Sequence, residues 1–428
     1  MPRLATLFAT LTLVAVCLLA GCSGGDSAAG TDTQGKKVIA FRTMQLRPTF
    51  DDYFLPLIAE YEASHPDVVI DWQDMPFQNY KTKLMTSFMA GKAPDVINLS
   101  SEDLLVYVDE GRLIPLDPLV SQDVFDAYVP SLLEESCRFE GQTYGLPWYA
   151  SAFVTFANKA ILEEAGLPTD APPLYYEDIP AIAEAVREKT DAFGIFPLYT
   201  EEGILRTYLL EGGQPLFDEQ GRAAFNTERG RRILTYWTDL YRNNLVPSEA
   251  LTATHRRIVE LYKTGNLAVM STAPQFLGQV KTGAPEIYAN TIVGPRMRWH
   301  DSDTQFVALH TLSVSSQSKH PKEAADFAAF VTNGPNQLKF SKLVTIIPSV
   351  TEALNDPYFS APGDTVEGKA RLYSAQQVRE GHVFRPPPNL NKLSRPMEDA
   401  MEQVAQGQKT AEEALAEAED AWNEILGK

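Results

Sequence analysis

Few of the 428 residues are spaced for covalent chemistry. The six histidines, His65, His255, His300, His310, His320 and His382, form no HExxH pair, and Cys17, Cys22 and Cys137 form no CxxC. Gly21-Cys22-Ser23-Gly24-Gly25 matches GxSxG literally. A nucleophile elbow needs a strand before it and a helix after it, and this match sits in a run of small residues. The 56 acidic residues allow carboxylate pairs to be imagined anywhere, but none lies in a motif that would face two across a glycosidic bond. What remains is chemistry without bond-making. Trp148 and Tyr149 follow Pro147, and an aromatic face can stack on the C–H face of a pyranose for about 1 kcal/mol. Core packing under a crossover is the competing role, and it suits Trp148 better than Tyr149.

The elements that must position such groups open with a β-α-β-α-β rhythm. Residues 38–41 (VIAF) suit a buried strand, and Phe54, Leu55, Leu57, Ile58 and Tyr61 then recur at helical spacing. His65-Pro66-Asp67 breaks that helix before a second strand at 68–70. Tyr80, Leu84 and Phe88 share one face of the next helix, and 96–99 (VINL) reads as a third strand. Ser101 is expected to cap the helix that follows. Strands separated by helices imply a parallel sheet covered on both faces. Later strands are expected at 153–156, 267–270 and 312–314, with helices at 179–188, 230–243, 322–331 and 411–426. Arg385-Pro386-Pro387-Pro388 is an extended connector. Ligands of open α/β sheets bind beyond the carboxyl ends of strands, which points to Thr43, Met44 and Gln45 and to Ser100, Ser101 and Glu102.

A chain this long exceeds what one core usually holds, so two lobes are expected. Its 37 basic and 56 acidic residues give a formal charge of −19, which opposes nucleic-acid binding. Residues 4–20 form an uncharged apolar run after Arg3, ending in Leu19-Ala20-Gly21-Cys22. This resembles the lipobox of bacterial lipoproteins, in which the cysteine thiol receives a diacylglycerol and the new amine a further acyl chain, palmitate among them. Residues 1–21 then form a signal peptide, and 22–36 a flexible tether poor in large apolar residues. Removing the leader, whose one charge is Arg3, makes the mature charge −20. With Cys137 alone beyond the lipid site, the mature chain has no intramolecular disulfide.

Local phrases through nearly the whole mature chain resemble the sugar-binding proteins of ABC importers, the family-1 extracellular solute-binding proteins. They are residues 54–69 (FLPLIAEYEASHPDVV), 80–96 (YKTKLMTSFMAGKAPDV), 111–117 (GRLIPLD), 141–149 (GQTYGLPWY), 156–167 (FANKAILEEAGL), 265–270 (GNLAVM), 312–330 and 411–426. The resemblance implies an α/β, two-lobed, type II-like periplasmic-binding fold with a ligand cleft between lobes joined by crossing hinge strands. Lobe 1 is expected at 37–150 plus 312–345 and lobe 2 at 151–311 plus 346–428.

Site residues follow position by position. Glu102 falls where maltodextrin-type relatives carry an acid for sugar hydroxyls; a first-turn acid serving the helix dipole is the alternative. Ser151 stands where some relatives have a carboxylate. Tyr176 replaces the family's common Trp at a helix start. Where the family reads Gly-Pro-Trp after residue 270, this chain has Ala273-Pro274-Gln275 and then Phe276, so an amide replaces the stacking ring. His310 and Arg385 complete the candidates.

The resemblance implies capture of a neutral carbohydrate or polyol, without cofactor or catalysis, by a monomer tethered to the membrane and delivering to the permease's transmembrane subunits. Other cargo remains open at this point: a glycerol-phosphate-type polyol served by Arg42 and Arg47, a polyamine, or a metal chelate held by Tyr175 and Tyr176. A surface glycosidase and a sensory or adhesive lipoprotein are further alternatives.

Overall fold

A computed structural model describes residues 35–199, 203–253, 255–385, 387 and 390–428. The expected signal peptide, Cys22, tether residues 23–34, and Pro386 and Pro388 of the connector lie outside the described residues. The strands are β1 (Lys37–Met44), β2 (Val68–Met75), β3 (Val96–Ser100), β4 (Arg138–Phe139), β5 (Gln142–Thr143), β6 (Leu146–Ser151), β7 (Val154–Asn158), β8 (Val269–Thr272), β9 (Thr291–Gly294), β10 (Ala308–Val314) and β11 (Ile347–Pro348).

Six of them form a sheet in the order β11-β6-β10-β3-β1-β2. β1 pairs in parallel with β2, Ile39 beside Ile70, and with β3, Phe41 beside Val96. Phe41, Val96 and Ile97 are wholly buried, as befits strands covered on both faces. β10 runs antiparallel to β3 and β6, and β11 antiparallel to β6. The sheet is therefore mixed, a correction to the parallel one expected. β10 returns from the second lobe and enters the sheet at the edge through which β6 leaves it, so it must run the other way. That edge gathers the carboxyl ends of β1, β2, β3 and β6 and the start of β10.

The second lobe is built on an antiparallel sheet, β8-β7-β9, in which Phe156 lies opposite Met270 and Val293. Two separate apolar cores result. One takes buried residues from Ile39 to Ala152 and from Val307 to Phe359; the other runs from Val154 to Trp299 and resumes at Leu393–Trp422. Residues 307–311 and 346–359 were assigned to lobe 2 by the sequence division. They pack in the first core because β10 begins at Ala308 and because β11, with residues 350–359, closes the sheet's edge.

A helix at Val366–Glu380 underlies the junction. Ala370 belongs to the second core, Ala375 and Val378 to the first. Ser374 Oγ donates to the Ala152 carbonyl at 3.4 Å and Gln377 Nε2 to the Phe306 carbonyl at 3.4 Å. One helix thus holds both crossover strands. Its first turn is capped by Thr365, whose hydroxyl accepts from Gly368 N, and a Cβ on Gly368 would lie 1.8 Å from the Pro362 carbonyl oxygen. Among the described residues, no helix is long and apolar enough to cross a membrane.

Candidate functional site

A cavity of about 210 Å³ lies where the crossovers meet the two lobes. The first lobe contributes Ser100, Ser101, Glu102 and Ala308–His310; the second contributes Leu198, Ile204, Thr207 and Leu210. Crossing segments add Ser151, Phe153, Arg296, Phe306 and Phe384. Its wall is thus an apolar bed of rings and aliphatic chains set with hydroxyls and two charges, the usual makeup of a small-molecule site.

The helix Ser101–Asp109 starts directly from β3 and brings its first turn to this edge. Its cap is Ser100 rather than the expected Ser101: Ser100 Oγ accepts from Asp103 N at 3.1 Å, and Ser101 is the first helical residue. Glu102 sits in the first turn, where the helix dipole favours an acid, and its side chain reaches across the cleft to Arg206 of the other lobe, 3.1 Å away. Arg206 lies on the helix Ile204–Glu211, whose Ile204, Thr207 and Leu210 share one face and line the cavity. The Arg206 side chain is 4% exposed, and its guanidinium stands 4.3 Å over the Phe384 ring. Gly203 before it has φ +77°, and a Cβ there would come within 2.4 Å of Arg206 Nη2.

Arg296 forms the floor. Its Nη2 lies 2.7 Å from Glu211, both side chains being at least nine-tenths buried, and its Nη1 donates to the Phe306 carbonyl at 3.1 Å. The guanidinium also lies 5.2 Å from the Phe153 ring centre. Burial pushes the Glu211 carboxyl up, against the pull of the Arg296 charge.

His310 stacks on Tyr149 with ring centres 4.8 Å apart and planes at 21°. Asn98 Nδ2 donates to the Thr311 carbonyl and lies 3.4 Å from His310 Nδ1. With Nδ1 accepting from that amide, the neutral ring carries its proton on Nε2 and donates there. Burial lowers the imidazole to about 4, so the ring is neutral at neutral pH.

Of the residues chosen from sequence, Ser101, Glu102, Ser151 and His310 are brought together in the wall. Gln275 stands beside them, its Oε1 accepting from Ser151 Oγ at 3.5 Å. Tyr149 is a second layer behind His310. Phe276 packs on the second core against His255, ring centres 4.7 Å apart. Trp148 is corrected from ligand contact to core: it is 1% exposed among Phe41, Phe54 and Phe340. Alternation along β6 turns its side chain away from the cleft. Gln45, at φ +57°, lies at a separate rim depression with Arg47, Asp51 and Asp74. Arg385 points to the Phe139 ring, 5.4 Å off, while its neighbour Phe384 faces the cavity. Tyr175 stacks on His300 and Tyr176 is buried against Trp237 and Trp299, so the two do not converge as a chelating pair.

Sequence reasoning missed Arg206, Arg296, Phe153, Phe306 and Phe384. Phe153 was within reach, since it shares a face with Ser151 two residues earlier on an extended segment. Nothing in the sequence marks Arg206, which reaches Glu102 from a position 104 residues away in the chain.

Two α/β lobes on separate cores, joined by crossing strands over an interlobe cavity, define the periplasmic-binding class of fold. Residues 47–337 match the family described as bacterial extracellular solute-binding protein, and the chain belongs to that family. A candidate oligosaccharide periplasmic-binding protein of Synechococcus sp. MITs9220, solved in complex with zinc, is 32% identical with a TM-score of 0.83, covering 91% of this chain and 99% of that one. The galactooligosaccharide-binding protein of Bacillus subtilis is 22% identical over 441 residues, covering 100% of this chain and 99% of its own. An uncharacterized lipoprotein of Streptomyces antibioticus is 26% identical over 385 residues, with 86% and 84% covered. The family consists of binding proteins, not enzymes.

Proposed function

We propose that this protein is the extracytoplasmic binding component of an ABC importer, taking a sugar or oligosaccharide into the interlobe cavity and presenting it to the permease. The observation that carries the reading is a cavity whose wall is shared by two independently packed lobes. A ligand there contacts both lobes only when they are together, so it favours the closed arrangement by a population shift. Aromatic faces at Phe153 and Phe306 suit the C–H face of a sugar ring, and Ser101, Ser151, Thr207 and His310 suit its hydroxyls. Micromolar affinity corresponds to about −8 kcal/mol. One or two stacked rings and several hydrogen bonds, each net ~1 kcal/mol, reach it after ordering costs. The names of the Bacillus and Synechococcus relatives support oligosaccharides as the class.

Lobe 1 in this reading is about 37–152 with 307–359, and lobe 2 about 154–299 with 390–428. Residues 1–21 are a signal peptide and Cys22 carries the lipid, with the protein a monomer facing the periplasm or cell exterior. The lipobox-like Leu19-Ala20-Gly21-Cys22 and the Streptomyces lipoprotein relative support the anchor. Cys22→Ala should release the protein from membranes in fractionation; retention would remove the anchor from the proposal. A melting screen against mono-, di- and oligosaccharides, polyols and glycerol phosphates tests the cargo, because a ligand bound only by the native state raises the melting point. A rise with saccharides and a shrinking scattering radius are expected. A response confined to non-carbohydrates would overturn the reading.

A further inference from the structure

We infer that the cleft continues past Phe153 into a side pocket of lobe 2 that takes the acetamido group of an N-acetylated amino sugar. This rests on the carbohydrate reading and names its substrate class.

The side pocket measures about 50 Å³. It shares Phe153, Leu198, Ile204 and Arg296 with the wall of the interlobe cavity, and is otherwise lined by residues that include Tyr176, Tyr208, Trp237 and Ile258. A single water needs about 10–15 Å³ measured in this way. The space therefore suits about four heavy atoms, the size of an acetamido group. The larger cavity of about 210 Å³ suits the ring that bears it.

Two donors in this wall are unanswered. Trp237 Nε1 and Arg296 Nε are buried and have no acceptor among the described residues, an unusual condition for buried polar atoms. The indoles of Trp72 and Trp422 differ: one donates to Thr43 Oγ1 and the other to the Leu393 carbonyl, both at 2.8 Å. Trp237 is 2% exposed, stacked on Tyr208 with ring centres 3.9 Å apart, and Tyr176 meets it edge-on. Packing asks only for the rings; the N–H asks for an oxygen. Arg296 is engaged at its other nitrogens, Nη2 by Glu211 and Nη1 by the Phe306 carbonyl.

The chemistry narrows the occupant. An acceptor must arrive on the ligand, and the rest of the group must suit rings and aliphatic chains. A methyl group offers no acceptor, and a hydroxyl leaves the apolar wall unfilled. A carboxylate would surrender its water among rings to a guanidinium whose charge Glu211 already matches. An acetamido group meets both demands, with its carbonyl oxygen for the donors and its methyl for the rings. Ser271, in the same wall, has a hydroxyl that can accept from the amide N–H.

Titration calorimetry tests this with N-acetyl-D-glucosamine, N-acetyl-D-galactosamine and N-acetyl-D-mannosamine, each beside its parent hexose, and with N,N′-diacetylchitobiose beside cellobiose. The members of each pair differ only at C2 of a ring. At least one acetylated sugar should bind about tenfold or more tighter than its partner. Trp237→Phe keeps a packed ring and removes the N–H, and should cut that preference by about fivefold or more while leaving the parent sugar unchanged. Ser271→Val narrows the pocket and removes the hydroxyl, and should abolish the preference in the same way. Should Trp237→Phe melt without cooperativity, Ser271→Val decides alone. Parent sugars that bind as well as their acetylated partners, or a preference that survives both variants, would overturn the inference and leave the carbohydrate reading standing. Failure of every sugar here and of the other saccharides in the melting screen would take that reading down as well.

Discussion

The Tyr149 ring lies nearly parallel to the His310 imidazole, 4.8 Å centre to centre, and shields the face of the ring turned from the cavity. β6 and β10 are neighbours in register at this point, Tyr149 opposite His310. The stack is therefore a cross-strand pair that sets a hydrogen-bond donor into the cleft wall.

That setting makes stability depend on pH. Burial lowers His310 to about 4, with Asp103 opposing, against 6.5 for an ordinary histidine. The unfolded chain therefore binds the proton more readily, and the contribution of the neutral ring is full above 6.5 and lost as pH falls towards 4. Between pH 7.5 and 4.5 the native protein should lose about 2 kcal/mol through this group. Urea unfolding of wild type and His310→Gln at the two pH values should show the wild type falling further by that amount. Equal falls would mean the imidazole is solvated.

Trp148 separates packing from binding. At 1% exposure amid Phe41, Phe54 and Phe340, its truncation to alanine should cost about 3–5 kcal/mol. Trp148→Phe keeps most of the contact and should leave ligand affinity within about twofold, since the Trp148 side chain is turned away from the cleft and is not among its lining residues. A large affinity loss in a Trp148→Phe protein that still melts cooperatively would return this residue to the binding surface.

Glu211 and Arg296 should reveal themselves through asymmetry. Glu211→Ala leaves a guanidinium buried without its anion and should cost about 3–5 kcal/mol in chemical unfolding. Pairing Glu211→Leu with Arg296→Met removes both charges and should cost clearly less than the single change. If the double variant is as unstable as the sum of its parts, the two side chains act independently.

Much of the frame was legible because it obeys local rules. The closing helix spans Ala411–Leu426 as its apolar spacing predicts, and Thr410 with Glu413 forms the capping box that starts it. Strands β1 to β3 announce themselves as apolar runs between helices. The helix Val366–Glu380 did not, because it serves two cores and so carries no single apolar stripe. The site was legible only in half. Glu102 follows the end of β3, where position alone signals a cleft, whereas Ser151, the last residue of β6, and His310, near the start of β10, are marked by the family resemblance. Arg206 and Arg296 are placed by how one lobe meets the other, and no spacing in the chain encodes that distance.

The helix Val366–Glu380 offers a test of the hinge itself. Ser374 and Gln377 hold the carbonyls of Ala152 and Phe306, one on each crossover, and neither is among the cavity-lining residues. Any rotation of the lobes must strain or rearrange these two bonds, because the helix is packed into both cores at once. Gln377→Leu removes one bond, worth about 1 kcal/mol net, and should change the balance between open and closed forms by a comparable amount. Ligand affinity should then shift by about fivefold while the cleft wall stays intact. Small-angle scattering of the unliganded variant should show a changed mean radius, with melting lowered only slightly. An unchanged radius and unchanged affinity would mean that the lobes turn about some other segment, and that this helix only packs beneath them.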